Sequence, residues 1–109
     1  MEKKRYLMNS AVLPHPGTYR YIALTEAEAV LLLQMQEWES RIGYPETAQH
    51  IWDIASIVVS LSRERTAMQV GDEALVIRLK YRIQDPGTKR TWQPGPDDWE
   101  YGLLMRLED

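Results

Sequence analysis

The sequence predicts an α/β (α+β) fold: a mixed five-stranded sheet with helices packed on one face. Three observations carry this. Strand-length apolar or alternating runs lie near both ends of the chain, over residues 6–9, 18–23 and 99–107. Two stretches between them repeat apolar residues at helical spacing, and each opens on a helix-start signal. Gly71-Asp72, a two-residue turn of the kind that closes hairpins, separates two further β-like runs. At 109 residues the chain has room for one core, so residues 1–109 read as a single domain.

The elements follow in order. Tyr6, Leu7 and Met8 form a short buried strand ending at Asn9. Residues 11–17 hold two prolines and a glycine and form a loop. Residues 18–23 form a second strand with Tyr19 and Tyr21 on one face. Thr25-Glu26-Ala27-Glu28 is a capping box. The helix it opens is expected to reach about Glu39 and to bury Ala27, Leu31, Met35 and Trp38. Residues 40–44 make a turn around Gly43. Pro45 then suits the first position of a second helix, and Glu46 complements its positive end. Ala48, Ile51, Ala55 and Val58 give that helix a buried stripe and an end near Val59. A hairpin follows, over residues 61–70 and 73–84, with Leu75, Ile77, Leu79, Tyr81 and Ile83 facing the core. Residues 85–98, with three prolines and two glycines, form a long irregular loop, a kind of segment that in a compact domain is more often functional than spare. Trp99, Tyr101, Leu103, Met105 and Leu107 alternate in a last strand.

Composition narrows the function. A net charge of −3 argues against sequence-blind binding to long DNA or RNA. There is no cysteine, hence no disulfide frame and no thiolate metal site. The basic start of the chain is followed by no apolar run of signal-peptide or membrane-span length, and the expected location is the cytoplasm. No cluster has metal-ligand spacing and no glycine-rich nucleotide fingerprint occurs, so neither metal nor cofactor is expected. His15 lies between prolines. His50 reads as a surface histidine near Asp53.

The chemical lead is positive charge. In the expected hairpin, Arg63 and Arg65 share a face with Arg78, Lys80 and Arg82, and Arg63 stands opposite Lys80. Like charges across a ladder destabilise it, by roughly 3 kcal/mol a pair at about 5 Å and an effective dielectric of about 20. An anion, above all a phosphate, offsets that cost. The alternative is a solvated face beside Glu100, Arg106 and Glu108 of the last strand, where carboxylates neutralise some of the charge. A second lead is Ile42-Gly43-Tyr44-Pro45-Glu46-Thr47-Ala48, a glycine turn into a helix N-terminus, where phosphates bind; the alternative is a plain tight turn. Trp92, beside Lys89 and Arg90, is either a base-stacking ring or an apolar anchor for its loop.

Several of these segments together resemble one family. Leu7-Met8-Asn9-Ser10-Ala11-Val12-Leu13-Pro14 is similar to its first strand and loop, and residues 42–48 to its central glycine–helix motif. Ser62-Arg63, Gly71-Asp72 and Arg78-Leu79-Lys80-Tyr81-Arg82-Ile83 resemble its arginine-bearing hairpin. Tyr101-Gly102-Leu103-Leu104 fits its last strand. The family is that of the viral ring nucleases, the type III anti-CRISPR proteins. The resemblance implies a homodimer with a pocket across its two-fold axis that binds cyclic tetra-adenylate. It also implies cleavage without metal, by attack of a ribose 2′-hydroxyl on the neighbouring phosphate. Carried onto this chain, it makes Arg63 and Arg82 phosphate-binding residues, puts Asp85 where relatives have an assisting glutamate, and matches Asn9 and Ser10 to the ligand-holding loop. Tyr44 stands where relatives have the catalytic histidine. Histidine titrates near 6.5 and tyrosine near 10, so tyrosine is a reluctant proton donor at neutral pH. Pro86-Gly87 and Pro94-Gly95-Pro96 replace a short helix of relatives.

The expected site therefore comprises Tyr44, Arg82 and Asp85 as catalytic residues, with Asn9, Ser10, Gly43, Arg63, Lys80 and Arg82 holding the ligand. The expected function is binding of a cyclic oligonucleotide messenger by a homodimer, by sequestration or slow cleavage. A fully active ring nuclease and a domain docking an acidic protein are the alternatives.

Overall fold

In a computed structural model of the protein, which describes residues 3–10, 16–64, 66–80 and 98–108, seven elements follow one another. They are β1 (Arg5–Met8), β2 (Thr18–Leu24), α1 (Glu26–Met35), β3 (Glu39–Arg41), α2 (Pro45–Ala55), β4 (Glu73–Leu79) and β5 (Trp99–Glu108). They form one α+β domain. Its five-stranded sheet has the order β2-β5-β4-β1-β3. β1 runs parallel to both β3 and β4, while β5 is antiparallel to β4 and β2.

β4 explains the arrangement. Ala74, Leu75, Val76 and Ile77 are all buried, which only a central strand covered on both faces achieves. Leu75 and Ile77 join Leu7, Trp99 and Tyr101 beneath Ala29 and Leu33 of α1 and Ile51 and Ala55 of α2. Both helices therefore lie on one face, as the sequence predicts. Ala74 and Val76 point the other way, with Tyr6, Met8, Met68 and Leu104.

The expected hairpin does not form. Residues 61–64 and 66–69 adopt neither helix nor strand. The segment instead crosses the sheet face opposite the helices, where Thr66 and Met68 are buried. β4 takes β1 and β5 as its neighbours. In the expected register Gln69 would stand beside Ala74 on a buried face, whereas β1 puts Tyr6 there. The Gly71 turn exists, with Gly71 at φ 93° and Asp72 N–H donating to Gln69 O at 3.0 Å. It leads into β4 rather than joining two paired strands. Asp72 pins the entry: its buried carboxylate accepts N–H from Lys4 at 3.0 Å and from Gln69 at 2.7 Å.

Other boundaries also move. The capping box forms, Thr25 Oγ1 accepting from Glu28 N and Glu28 Oε1 from Thr25 N. α1 ends at Met35, short of Glu39, and buries Ala29 and Leu33 while Ala27, Leu31 and Met35 are exposed. Apolar residues recur on every side of the helix, with Glu26, Glu28 and Gln34 scattered among them, so periodicity does not choose its inner face. Residues 39–41 form an edge strand where a turn was expected from residue 40. α2 stops at Ala55, capped by Ser56 in the left-handed region at φ 57°, and Val58 is exposed. Arg65, the 81–97 stretch with Tyr81, Ile83 and Trp92, and His15 lie outside the described residues.

Candidate functional site

The parallel strands β1 and β3 end side by side, Met8 level with Arg41. The chain beyond each strand forms a cleft, the usual ligand position in sheets with parallel strands. Residues 8–10 line one wall. Arg41, Gly43 and Tyr44 line a second. Ser62, Arg63, Glu64 and Thr66 line the third. The cavity is about 640 Å³, within the range of small-ligand sites.

Hydrogen bonds tie the three walls together. Gly43 N–H donates to Asn9 Oδ1 at 2.9 Å. Ser62 N–H donates to Ile42 O at 2.8 Å. Arg63 Nε donates to Gly43 O at 3.3 Å, and its guanidinium lies 5.9 Å from the centroid of the Tyr44 ring. No carboxylate among the described residues forms an ion pair with Arg63. Gly43 makes room for this arginine: a Cβ there would stand 3.1 Å from Arg63 Cγ. Tyr44 is the N-cap residue of α2 but makes no side-chain cap bond, and its ring is 54% exposed at the mouth. The positive end of the helix dipole opens beside it.

The structure thus brings Asn9, Ser10, Gly43, Tyr44 and Arg63 into one cleft. Lys80 follows β4, exposed, with its N–H on Asp98 O at 2.8 Å, and does not line the cleft. Arg82 and Asp85 lie outside the described residues. The expected facing of Arg63 and Lys80 falls with the hairpin. Arg78 is neutralised by its cross-strand neighbour Glu100, with Nη2 at 3.1 Å from Oε2. That is the solvated-face alternative, seen among the described residues in this pair.

Arg41 is a cleft residue that the sequence does not reveal, because no periodicity marks Glu39-Ser40-Arg41 as a strand. Its guanidinium lies 5.3 Å from the Tyr6 ring centroid, and Nη2 has Glu39 and Glu64 nearby. His50 is not the surface histidine expected. It stacks on Trp99 at 4.1 Å between ring centroids, and its Nε2 is 2.7 Å from Tyr101 Oη. Burial lowers its pKa, with Glu26 and Asp53 opposing. Burial and the Glu26 carboxylate raise that of Tyr101. This trio locks α2 to β5 and does not line the cleft. Among the described residues, no group of three or more His, Asp or Glu could hold a metal, and no helix is long and apolar enough to cross a membrane.

Comparison with known proteins gives concordant matches. A family model described as STIV B116-like matches residues 5–91. "Uncharacterized protein 26" of Sulfolobus islandicus filamentous virus (isolate Iceland/Hveragerdi) is 31% identical over 84 residues, 73% of this chain and 71% of that protein. "Uncharacterized protein ORF117" of Acidianus two-tailed virus is 25% identical over 93 residues, 81% of this chain and 80% of that protein. The fold is shared with B116 of Sulfolobus turreted icosahedral virus, at a TM-score of 0.73 and 18% identity, over 94% of this chain and 99% of that one. The chain belongs to the STIV B116-like family, small proteins of archaeal viruses.

Proposed function

We propose that this member of the STIV B116-like family binds a cyclic oligonucleotide messenger of the cyclic oligoadenylate type and so silences nucleotide-signalled antiviral defence. It does so by sequestering the ring or by cutting it slowly without metal. The observation that carries the reading is the meeting of Arg63, the start of α2 and the Asn9–Ser10 wall in one cleft. Arg63 has no carboxylate partner among the described residues and supplies charge-assisted bonds to a phosphate. The helix dipole adds to that field. Asn9 Oδ1 holds Gly43 N–H and so shapes the cleft, and the exposed Tyr44 ring offers a face on which a base stacks.

The reading sets a limit on catalysis. A ring cut by its own 2′-hydroxyl needs a proton donor for the leaving oxygen, and general acids contribute about 10²–10⁴-fold. At the mouth of this cleft the candidate donor is a phenol, which favours holding the ring over cutting it. A two-fold symmetric ring also suits two copies of the chain, each offering the same arginine.

The test is incubation of the purified protein with labelled cyclic tetra-adenylate, followed by denaturation. Intact ring recovered from a tight complex indicates sequestration. Linear product indicates cleavage, and Tyr44→His is then expected to accelerate it. If no cyclic nucleotide binds, the proposal fails and a protein-docking role takes its place.

A further inference from the structure

Arg41 is only half satisfied. Its Nη1 donates to Ser40 O at 2.9 Å. Its Nη2 lies 3.5 Å from Glu39 Oε2 and 3.6 Å from Glu64 Oε2, both longer than the roughly 2.7–2.9 Å of a formed charge-assisted bond. Its Nε is shut off from water and meets no acceptor among the described residues. Nε and Nη2 form the edge on which a guanidinium grips two oxygens of one anion side by side. Here two carboxylates stand loosely at one tooth of that fork, and the other is unserved. Buried donors are rarely left so, because the loss of water is not repaid.

The two carboxylates differ. Glu39, whose backbone pairs opposite Tyr6 in the β3 ladder and whose side chain is 54% exposed, lies outside the cleft lining. Glu64 sits on the irregular wall of the cleft, and its side chain is 76% exposed, so it is free to swing away. The groups facing the Arg41 guanidinium are these two carboxylates, the Tyr6 ring and the Ser40 carbonyl.

We infer that Glu64 is a built-in competitor for Arg41: its carboxylate holds the place that a phosphate of the ligand takes, and binding exchanges one for the other. The inference rests on the reading of the cleft as an oligonucleotide site and adds a second arginine to it. A phosphodiester has two non-bridging oxygens and fills both teeth of the fork, which the carboxylates do not. A displaced Glu64 also stays close enough to repel weakly held anions, so the exchange raises selectivity at a cost in affinity.

The experiment is calorimetric titration of cyclic tetra-adenylate into wild type, Glu64→Gln, Arg41→Met and the double variant. Glu64 is exposed, so its substitution leaves the fold intact. Glu64→Gln is expected to tighten binding about two- to fivefold, the range that one exposed ion pair spans. Arg41→Met is expected to weaken binding about tenfold or more, and in its background Glu64→Gln gains little. Unchanged or weaker binding by Glu64→Gln overturns the inference. So does an equal gain in the Arg41→Met background, which would mean that Glu64 merely repels the ligand. If wild type itself does not bind, the inference falls together with the proposed function; if wild type binds and only the Glu64 effect is missing, the inference falls alone.

Discussion

A methyl group added at Gly43 separates the chemistry of the cleft from the stability of the fold. Gly43 is not among the residues at positive φ, so alanine strains no backbone there. By restricting the unfolded chain the substitution gains about 0.4–1 kcal/mol. Against this, the new Cβ stands 3.1 Å from Arg63 Cγ, while its next neighbours lie at 3.7 Å, ordinary contact. Arg63 is exposed and flexible, so it gives way. In moving it loosens its 3.3 Å bond to Gly43 O, a net loss of about 0.5–1.5 kcal/mol. The two effects nearly cancel, and Gly43→Ala is expected to change unfolding free energy by no more than about 1 kcal/mol. Ligand binding has no such compensation. A displaced guanidinium forfeits up to one charged contact, about 1.5–3 kcal/mol, which is about 10- to 150-fold in Kd. Urea unfolding and titration of cyclic tetra-adenylate on the same preparation read the two quantities. A stability loss above about 2 kcal/mol would show that the glycine serves the fold. Full affinity in a stable variant would remove Arg63 from the ligand contacts.

Two further predictions concern the scaffold behind the cleft. Asp72→Ala strips the acceptor from Lys4 N–H and Gln69 N–H at a buried position. At about 1–3 kcal/mol for each orphaned donor, the urea midpoint should fall markedly, and a loss below about 1 kcal/mol in all would mean that water replaces the carboxylate. His50 makes stability depend on pH, because burial lowers its pKa below the usual 6.5 in the fold. As pH falls below about 6.5 the unfolded chain takes a proton before the folded one does, so stability declines through that window. It levels once the folded histidine is charged as well. Thermal unfolding of His50→Gln between pH 8 and 5 should lack this part of the slope. A decline parallel to wild type would exclude His50 as its source.

What the sequence reveals of the fold divides along a physical line. The apolar run of β1 survives into the structure because burial leaves a trace in the sequence, whereas the alternation of β5 holds only at Trp99 and Tyr101, since Leu104 is buried on the other face and Leu107 is exposed. Thr25-Glu26-Ala27-Glu28 is legible because the capping bonds are local. α1 is read with the wrong inner face because Leu31, Leu32 and Leu33 satisfy any face, and packing against Leu7 and Ile51 makes the choice. The 61–70 stretch fails for a different reason. Turn chemistry at Gly71 is local and correct, but strand pairing is a competition between distant partners. β1, with Tyr6, Leu7 and Met8 all buried, takes the place beside β4.

The same line runs through the site. Gly43, Tyr44 and the start of α2 are legible because a glycine before a proline-led helix is a local signal. Arg63 lies at the cleft, but not for the reason the sequence suggests. It reaches the cleft not by strand parity with Lys80 but through Ser62, whose N–H on Ile42 O lays the segment alongside the end of β3. Arg41 leaves no trace at all, since an arginine closing a three-residue edge strand looks like any surface charge. Its meaning comes from what the described residues withhold, an acceptor at Nε and a firm partner at Nη2. For the described members of the expected basic face, the fold itself relieves the repulsion, pairing Arg78 with Glu100 and parting Arg63 from the sheet. The case for an anion therefore rests on Arg41 and Arg63 at the cleft against Glu64, with Glu39 also beside Arg41, a charge balance that the Glu64→Gln titration reads directly.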